Sequence, residues 1–335
     1  MKKLITIMSL VIVGFAFGQD EEPKLNVSGS VDAYFRNNIT SANDGAANTL
    51  LGTGDYSIFN NDSGFSAGLA NVTLSYGDET VGFIADLGYG PRMDAWNGGD
   101  VVNEAYMYWN ASDKVMLMMG RFNSWMGYER LSAANNFHYS MSHMFSYSAR
   151  NFNGIVAQFD MGTNLRGGIG VMNPVDQVYG NSGDYSIAAG FTYNGVTGIS
   201  YTRGGDVSYL DLKTAFGVSD NLDIKLNGHI ADFGDDADGF SSISAYAQLK
   251  STDAFSWGMR LEYMKFDNAD SLTVLTPTLT GRYSVGDLTI IPEIRLDSAS
   301  EDIFTDNEPS FDNSGNPIMN SGVLTAFNVA AVYTF

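Results

Sequence analysis

The sequence predicts an all-β chain, a transmembrane antiparallel β-barrel of about sixteen strands, and three observations carry that reading. Segments of about ten residues alternate apolar and polar side chains, the period of a strand whose two faces meet different solvents. Short Asn/Asp/Gly turns and long polar loops take turns in joining them, which is the asymmetry of outer-membrane barrels with short periplasmic turns and long extracellular loops. The final segment sets Phe327, Val329, Ala331, Tyr333 and Phe335 on one face. An apolar row ending in aromatics suits a strand that closes the barrel against the first, faces lipid and is read by the barrel assembly machinery.

At the other end, Lys2 and Lys3 precede an apolar run from Leu4 to Phe17, with a small-residue exit at Ala16-Phe17-Gly18. That is the pattern of a secretory signal peptide. The run is shorter than the ~20 residues a spanning helix needs, and Asp20, Glu21 and Glu22 follow it. The expected organisation is a leader over 1–18 and one barrel domain over 19–335, exported through the inner membrane to the outer membrane. Without cysteine there is no disulfide frame, thiolate metal site or cysteine nucleophile, and three histidines leave few acid–base constellations. No cofactor is implied. The formal charge of −20 becomes −22 once Lys2 and Lys3 leave with the leader, which argues against nucleic acid and toward cations.

Taken in order, the first strand places Leu25, Val27, Val31, Ala33 and Phe35 against Asp32 and Arg36. Val81, Phe83, Ala85, Leu87 and Tyr89 oppose Asp86, and Leu222, Ile224, Leu226 and Ile230 oppose Asp223, Lys225, Asn227 and His229. Ile243, Ala245, Ala247 and Leu249 oppose Tyr246, Gln248 and Lys250, and Leu288, Ile290 and Ile294 oppose Ile291, Glu293, Arg295 and Asp297. Val115 to Phe122 is apolar on both faces until Arg121, so its phase stays open. Pro277 and Pro292 each remove a ladder donor and count against central strands unless they sit at bulges or loose ends. Short turns fall at Gly77–Thr80, Ala111–Lys114, Gly162–Asn164, Asn194-Gly195, Ser219–Asn221, Ser251–Asp253 and Val285–Asp287. Longer connections fall near 38–63, 91–100, 123–150, 174–184, 204–206, 233–239, 267–271 and 299–320.

A barrel of this size encloses an aqueous lumen when its inner face is polar. The inward phase carries Asp32, Asp86, Glu104, Asp211, Asp223, Glu262, Glu293 and Asp297, with Arg36, Arg121, Arg166, Lys213, Lys225, Arg260, Arg282 and Arg295. Acids and bases balance there, so the net negative charge belongs to the long loops, which concentrate cations at the mouth over about a Debye length. Asp235, Asp236 and Asp238 could hold a hard cation, but the loop lacks the bidentate Glu of an EF-hand. The long connection from 123 to 150 is aromatic and mixed in charge. Arg121, Glu129, Arg130 and Arg150 are its candidate constriction charges.

Gly120-Arg121-Phe122, Gly127-Tyr128-Glu129, Asn136-Phe137-His138-Tyr139-Ser140 and Asn153-Gly154-Ile155 together resemble the pattern of the OmpL-like beta-barrel porin family. The resemblance covers roughly 24–335 as architecture and 120–160 as motif. It implies an outer-membrane porin of a Gram-negative bacterium, without catalytic residues. Where family members often carry a proline before the Asn-Gly-Ile region, this chain has Ala149-Arg150-Asn151-Phe152. The function expected is passive diffusion of small hydrophilic solutes or ions with a weak cation preference, in outer-membrane lipid and lipopolysaccharide and with a homotrimer as one arrangement. A non-conducting surface barrel, adhesive or structural, is the alternative. A hydrolase built on His138, Ser140, Ser142 and His143 is disfavoured, because a nucleophile and its base need an orienting third group and usually come from different elements.

Overall fold

The computed structural model describes residues 24–43, 63–177, 182–234, 238–267 and 271–335. The expected leader over 1–18 lies outside the described residues, as do Asp235 and Asp236 of the candidate cation loop. Sixteen strands form one closed ring: β1 (Asn26–Asn38), β2 (Gly64–Gly77), β3 (Val81–Tyr89), β4 (Val102–Ser112), β5 (Val115–Asn123), β6 (Asn151–Asp160), β7 (Leu165–Met172), β8 (Ser186–Tyr193), β9 (Thr197–Gly204), β10 (Val207–Ser219), β11 (Leu222–Asp232), β12 (Phe240–Lys250), β13 (Phe255–Phe266), β14 (Thr273–Val285), β15 (Leu288–Ala299) and β16 (Val323–Thr334). Each pairs antiparallel with its chain neighbours, and β1 pairs with β16 to abolish the edges.

The seam matches Val31 with Tyr333, Phe35 with Val329 and Asn37 with Phe327. Gly29 and Phe335 exchange backbone hydrogen bonds of 3.0 and 3.1 Å. At one end of the barrel the strands are joined by turns of two to four residues. Asn194 and Gly195, with φ of 52° and 70°, give the β8–β9 turn its left-handed pair. At the other end lie the long loops, two of which carry short helices, α1 (Pro91–Asn97) and α2 (His143–Tyr147). The β9–β10 connection, expected among the longer ones, is only Gly205-Asp206.

Both prolines sit within strands. Pairing of β14 with β15 lapses at Thr276-Pro277 and again at Gly281-Arg282, the latter opposite Ile291-Pro292, so the missing donors fall in gaps of a single seam. In β5 the open phase is settled by pairing: Met118 faces inward between Tyr108 and Val156, while Met119 is exposed on the outer face. Trp109, Trp257 and Tyr263 also stand exposed on the outside.

The interior is not a bare channel. The loop between β5 and β6 folds inward and buries apolar side chains against the wall. Met126 and Ala149 of the loop pack with Phe122, Phe152, Met172, Tyr209, Phe240 and Met264 from the strands. Nearer the mouth, Met93 and Trp96 of α1, Leu131 and Met141 of the same loop, and Phe304 of the β15–β16 loop pack together on Leu69 and Leu324.

Candidate functional site

Segment 124–150 crosses the lumen, and the charges of the wall hold it there. Tyr128 reaches the far side, where its hydroxyl donates to the carbonyl of Val196 in the β8–β9 turn at 3.1 Å. Lys213 of β10 donates to the carbonyls of Trp125 and Gly127 at 2.7 and 2.9 Å. Arg260 of β13, wholly buried, pairs with Glu129 at 2.5 Å and donates to the carbonyl of Ser140 at 2.8 Å. Arg282 of β14 donates to the carbonyls of Asn136 and Phe137.

Two wall carboxylates grip backbone N–H groups of the segment. Glu293 of β15 accepts from Tyr139 and Ser140 at 2.9 and 3.0 Å, and Glu262 of β13 accepts from His143 and Met144 at 2.8 and 2.7 Å. Glu262 thereby satisfies two donors that the first turn of α2 leaves open. Ser142, its N-cap, takes the N–H of Phe145. Asp297 meets His143 at 2.8 Å and Arg295 at 2.7 Å, and Asp32 of β1 accepts from the Tyr139 hydroxyl at 2.7 Å. Burial keeps that phenol protonated by pushing its pKa well above the ordinary value. Such charge-assisted bonds in a water-poor interior fix a loop far more firmly than surface contacts.

His138 is neutral. Burial, and after it the positive field of Arg260 and Arg282 with Lys225 and Arg295, holds its pKa well below the usual range. Thr280 donates to Glu293 at 2.9 Å, so its oxygen accepts from His138 Nδ1 at 2.7 Å and the imidazole proton sits on Nδ1. Neither His138 nor His143 bonds Ser140 or Ser142 among the described residues; their partners are wall groups. Hydrolytic geometry is absent from this group.

Of the four expected constriction charges, Glu129, Arg130 and Arg150 line one narrow cleft together with Trp96, Met126 and Phe145. Arg130 donates to the Glu129 carbonyl at 2.7 Å, Arg150 pairs with Asp176 at 3.3 Å, and Trp96 stacks on Phe145 at 5.0 Å. Arg121 lies elsewhere. It continues the outward row of Leu117 and Met119, and at the rim it pairs with Asp100 at 2.8 Å and donates to Asn97 at 2.6 Å. Its charge is satisfied by residues that come over the strand tops after α1, so the inward phase assigned to it from charge alone is corrected.

The other expected wall residues are on inward positions. Asp86 accepts from Asn71, Thr73 and Asn103 at 2.8, 2.9 and 2.7 Å, and Glu104 accepts from the N–H of Asn123 at 2.9 Å. Arg36 donates to Asn38 at 3.1 Å. Arg166 is exposed near the short-turn end, and the Lys225 ammonium lies 5.5 Å from the Tyr128 ring. Asp238 is exposed, and no group of three metal-ligating side chains occurs among the described residues. Sequence reading missed Arg92 of α1, which donates to the carbonyls of Leu131 and Tyr139 at 3.2 and 3.3 Å and covers the Tyr139 ring. The only signal was a lone arginine after the proline of a loop.

Solved structures share the architecture. The anion-selective porin from Comamonas acidovorans superposes with a TM-score of 0.64 at 10% identity, over 94% of this chain and 100% of that one. The outer membrane channel DcaP of Acinetobacter baumannii gives 0.60 at 12% identity over 95% and 99%. OmpT of Vibrio cholerae in its trimer form gives 0.57 at 10% over 94% and 100%. No curated protein shows significant sequence similarity to the chain. At these identities the likeness is one of fold. The family match is broader: the model described as "Putative beta-barrel porin-2, OmpL-like" covers residues 24–335. Family and fold together point to an outer-membrane channel rather than an enzyme. The chain belongs to this OmpL-like beta-barrel porin family.

Proposed function

We propose that this porin passes small hydrophilic solutes and ions by passive diffusion, with segment 124–150 setting the constriction. The observation that carries the reading is the cross-lumen anchoring of that segment, which brings Glu129, Arg130 and Arg150 to one cleft. Exposed Asp94, Asp184, Asp206, Glu301, Asp302, Glu308 and Asp312 at the long-loop end support a weak cation preference at the mouth. The exposed apolar belt is read as facing outer-membrane lipid, with lipopolysaccharide at the acidic rim. Phe327, Val329, Tyr333 and Phe335 are read as the assembly signal, and a homotrimer is the expected assembly.

The test is single-channel conductance of residues 19–335 refolded into a planar bilayer, with the reversal potential across a salt gradient. Small stable steps support the reading. The apolar packing of α1, segment 124–150 and Phe304 at the mouth favours a second reading, a closed surface barrel. A folded, heat-modifiable barrel without conductance would establish that second reading.

A further inference from the structure

We propose that the lumen below segment 124–150 holds an oxyanion site, formed by Lys213 and Lys225 beside Tyr128, for a small carboxylate or phosphate. Adjacent strands β10 and β11 set the two lysines diagonally, with Lys213 opposite Asn227 and Lys225 opposite Ala215. Their ammonium groups lie 5.8 and 5.5 Å from one tyrosine ring, and neither has a carboxylate within ion-pair distance among the described residues. Lys225 makes no hydrogen bond among the described residues, and Lys213 spends two donors on backbone carbonyls and keeps one. Two like charges on one ring repel, and an anion between them relieves that repulsion.

Most inward carboxylates have partners of their own, although those bonded to neutral groups keep their charge. Glu262 and Glu293 hold backbone, Asp297 holds Arg295 and His143, Asp86 holds three side chains, Glu104 holds Asn123, and Asp211 accepts from Asn227 at 2.6 Å and meets His229 at 3.3 Å. Toward the short-turn end stand Arg166, Lys213, Lys225 and Arg282 with Asp160, Asp211 and Asp223; Asp160 caps the N–H of Gly162, and Asp211 and Asp223 face the lysines from beyond ion-pair distance. Arg130 adds a further charge from the segment itself, again without a carboxylate at ion-pair distance among the described residues. Beside Lys213 on β9 stands Gly198, its cross-strand partner, which leaves the lysine stem room along the wall. Only access from the periplasmic end rests on the porin reading.

The experiment is calorimetric titration of the refolded full chain in detergent at low ionic strength with inorganic phosphate and, separately, succinate. Saturable binding is expected, weakened roughly five- to tenfold by Lys225→Gln, the effect of one unit charge in a solvated chamber. Lys225→Arg should retain it, and so should Lys250→Gln, whose ammonium already pairs with Asp253 at 2.7 Å at the rim. Binding of phosphate alone identifies a phosphate site, and binding of both anions a general oxyanion site. Absence of saturable binding, or binding indifferent to Lys225→Gln in a heat-modifiable variant, overturns the proposal. Conductance of the same preparations separates the two readings: conductance without binding removes the site and leaves the porin, and binding without conductance does the reverse.

Discussion

Replacing Glu293 with Gln should free segment 124–150 without opening the barrel. The carboxylate takes Tyr139 N and Thr280 Oγ1 on one oxygen and Ser140 N on the other. In the amide one position becomes a donor, and with the remaining oxygen on Tyr139 and Thr280, the new NH2 faces the N–H of Ser140. The loss is one hydrogen bond to a charged group, about 1.5–3 kcal/mol, together with a buried N–H left unsatisfied at about 1–3 kcal/mol. Partial relaxation brings the net to about 2–4 kcal/mol, or about 30- to 900-fold in the local opening equilibrium. The wall pairs of β14 and β15 on either side are backbone bonds that the substitution does not touch. Hydrogen exchange of residues 137–145 in the refolded barrel reads the effect directly, and heat-modifiable migration on gels checks that the ring is intact. Unchanged protection in an intact barrel would refute the idea that the wall carboxylates hold the segment. Rising conductance alongside lost protection would connect the anchor to the pore.

Three further outcomes follow from the same geometry. Gly29→Ala places a methyl against the Asn71 carbonyl and 2.7 Å from the Phe335 ring at the closing seam, so the heat-modifiable transition should move to lower temperature by the equivalent of about 1–3 kcal/mol, and an unchanged transition would sink the reading. His138 is held neutral in the docked segment, whereas the undocked segment takes up a proton below the ordinary histidine pKa. Docking is therefore fully stable above that value and loses up to about 1.4 kcal/mol per pH unit as pH falls below it. His138→Gln should flatten that slope in hydrogen exchange, and an equal slope in both proteins would remove His138 from the account. Reversal potentials should favour cations most at low salt and lose that preference near 1 M, where the Debye length is about 3 Å and the mouth acids are screened; anion preference already at the lowest salt would contradict the acidic-mouth argument.

Strands, turns and most of the inward charges were legible in the sequence because each depends on neighbours two residues away or on a turn of a few residues. Period two fails in β5 for a physical reason. Met118 and Phe122 face not water but the apolar side of segment 124–150, so both faces of the strand are apolar and only pairing reveals the phase. Arg121 was misassigned for the complementary reason: its partners, Asn97 and Asp100, arrive from a loop more than twenty residues away. The anchoring of the segment leaves little trace, because Glu262 and Glu293 bind backbone N–H groups that every residue type offers. The pairing of Glu129 with Arg260 spans 131 positions, and nothing local announces it.

The apolar nucleus between segment 124–150 and the wall has a consequence for how the molecule is made. Strand pairing in the ring is between chain neighbours, save for the single seam of β1 with β16, so closure needs only one distant encounter. The nucleus needs more, since it brings Met126 and Ala149 of the β5–β6 loop against Tyr209, Phe240 and Met264 of β10, β12 and β13. The apolar surface of this loop is therefore buried by exclusion of water from inside the barrel rather than by transfer into lipid, so the molecule carries two apolar surfaces that answer to different solvents.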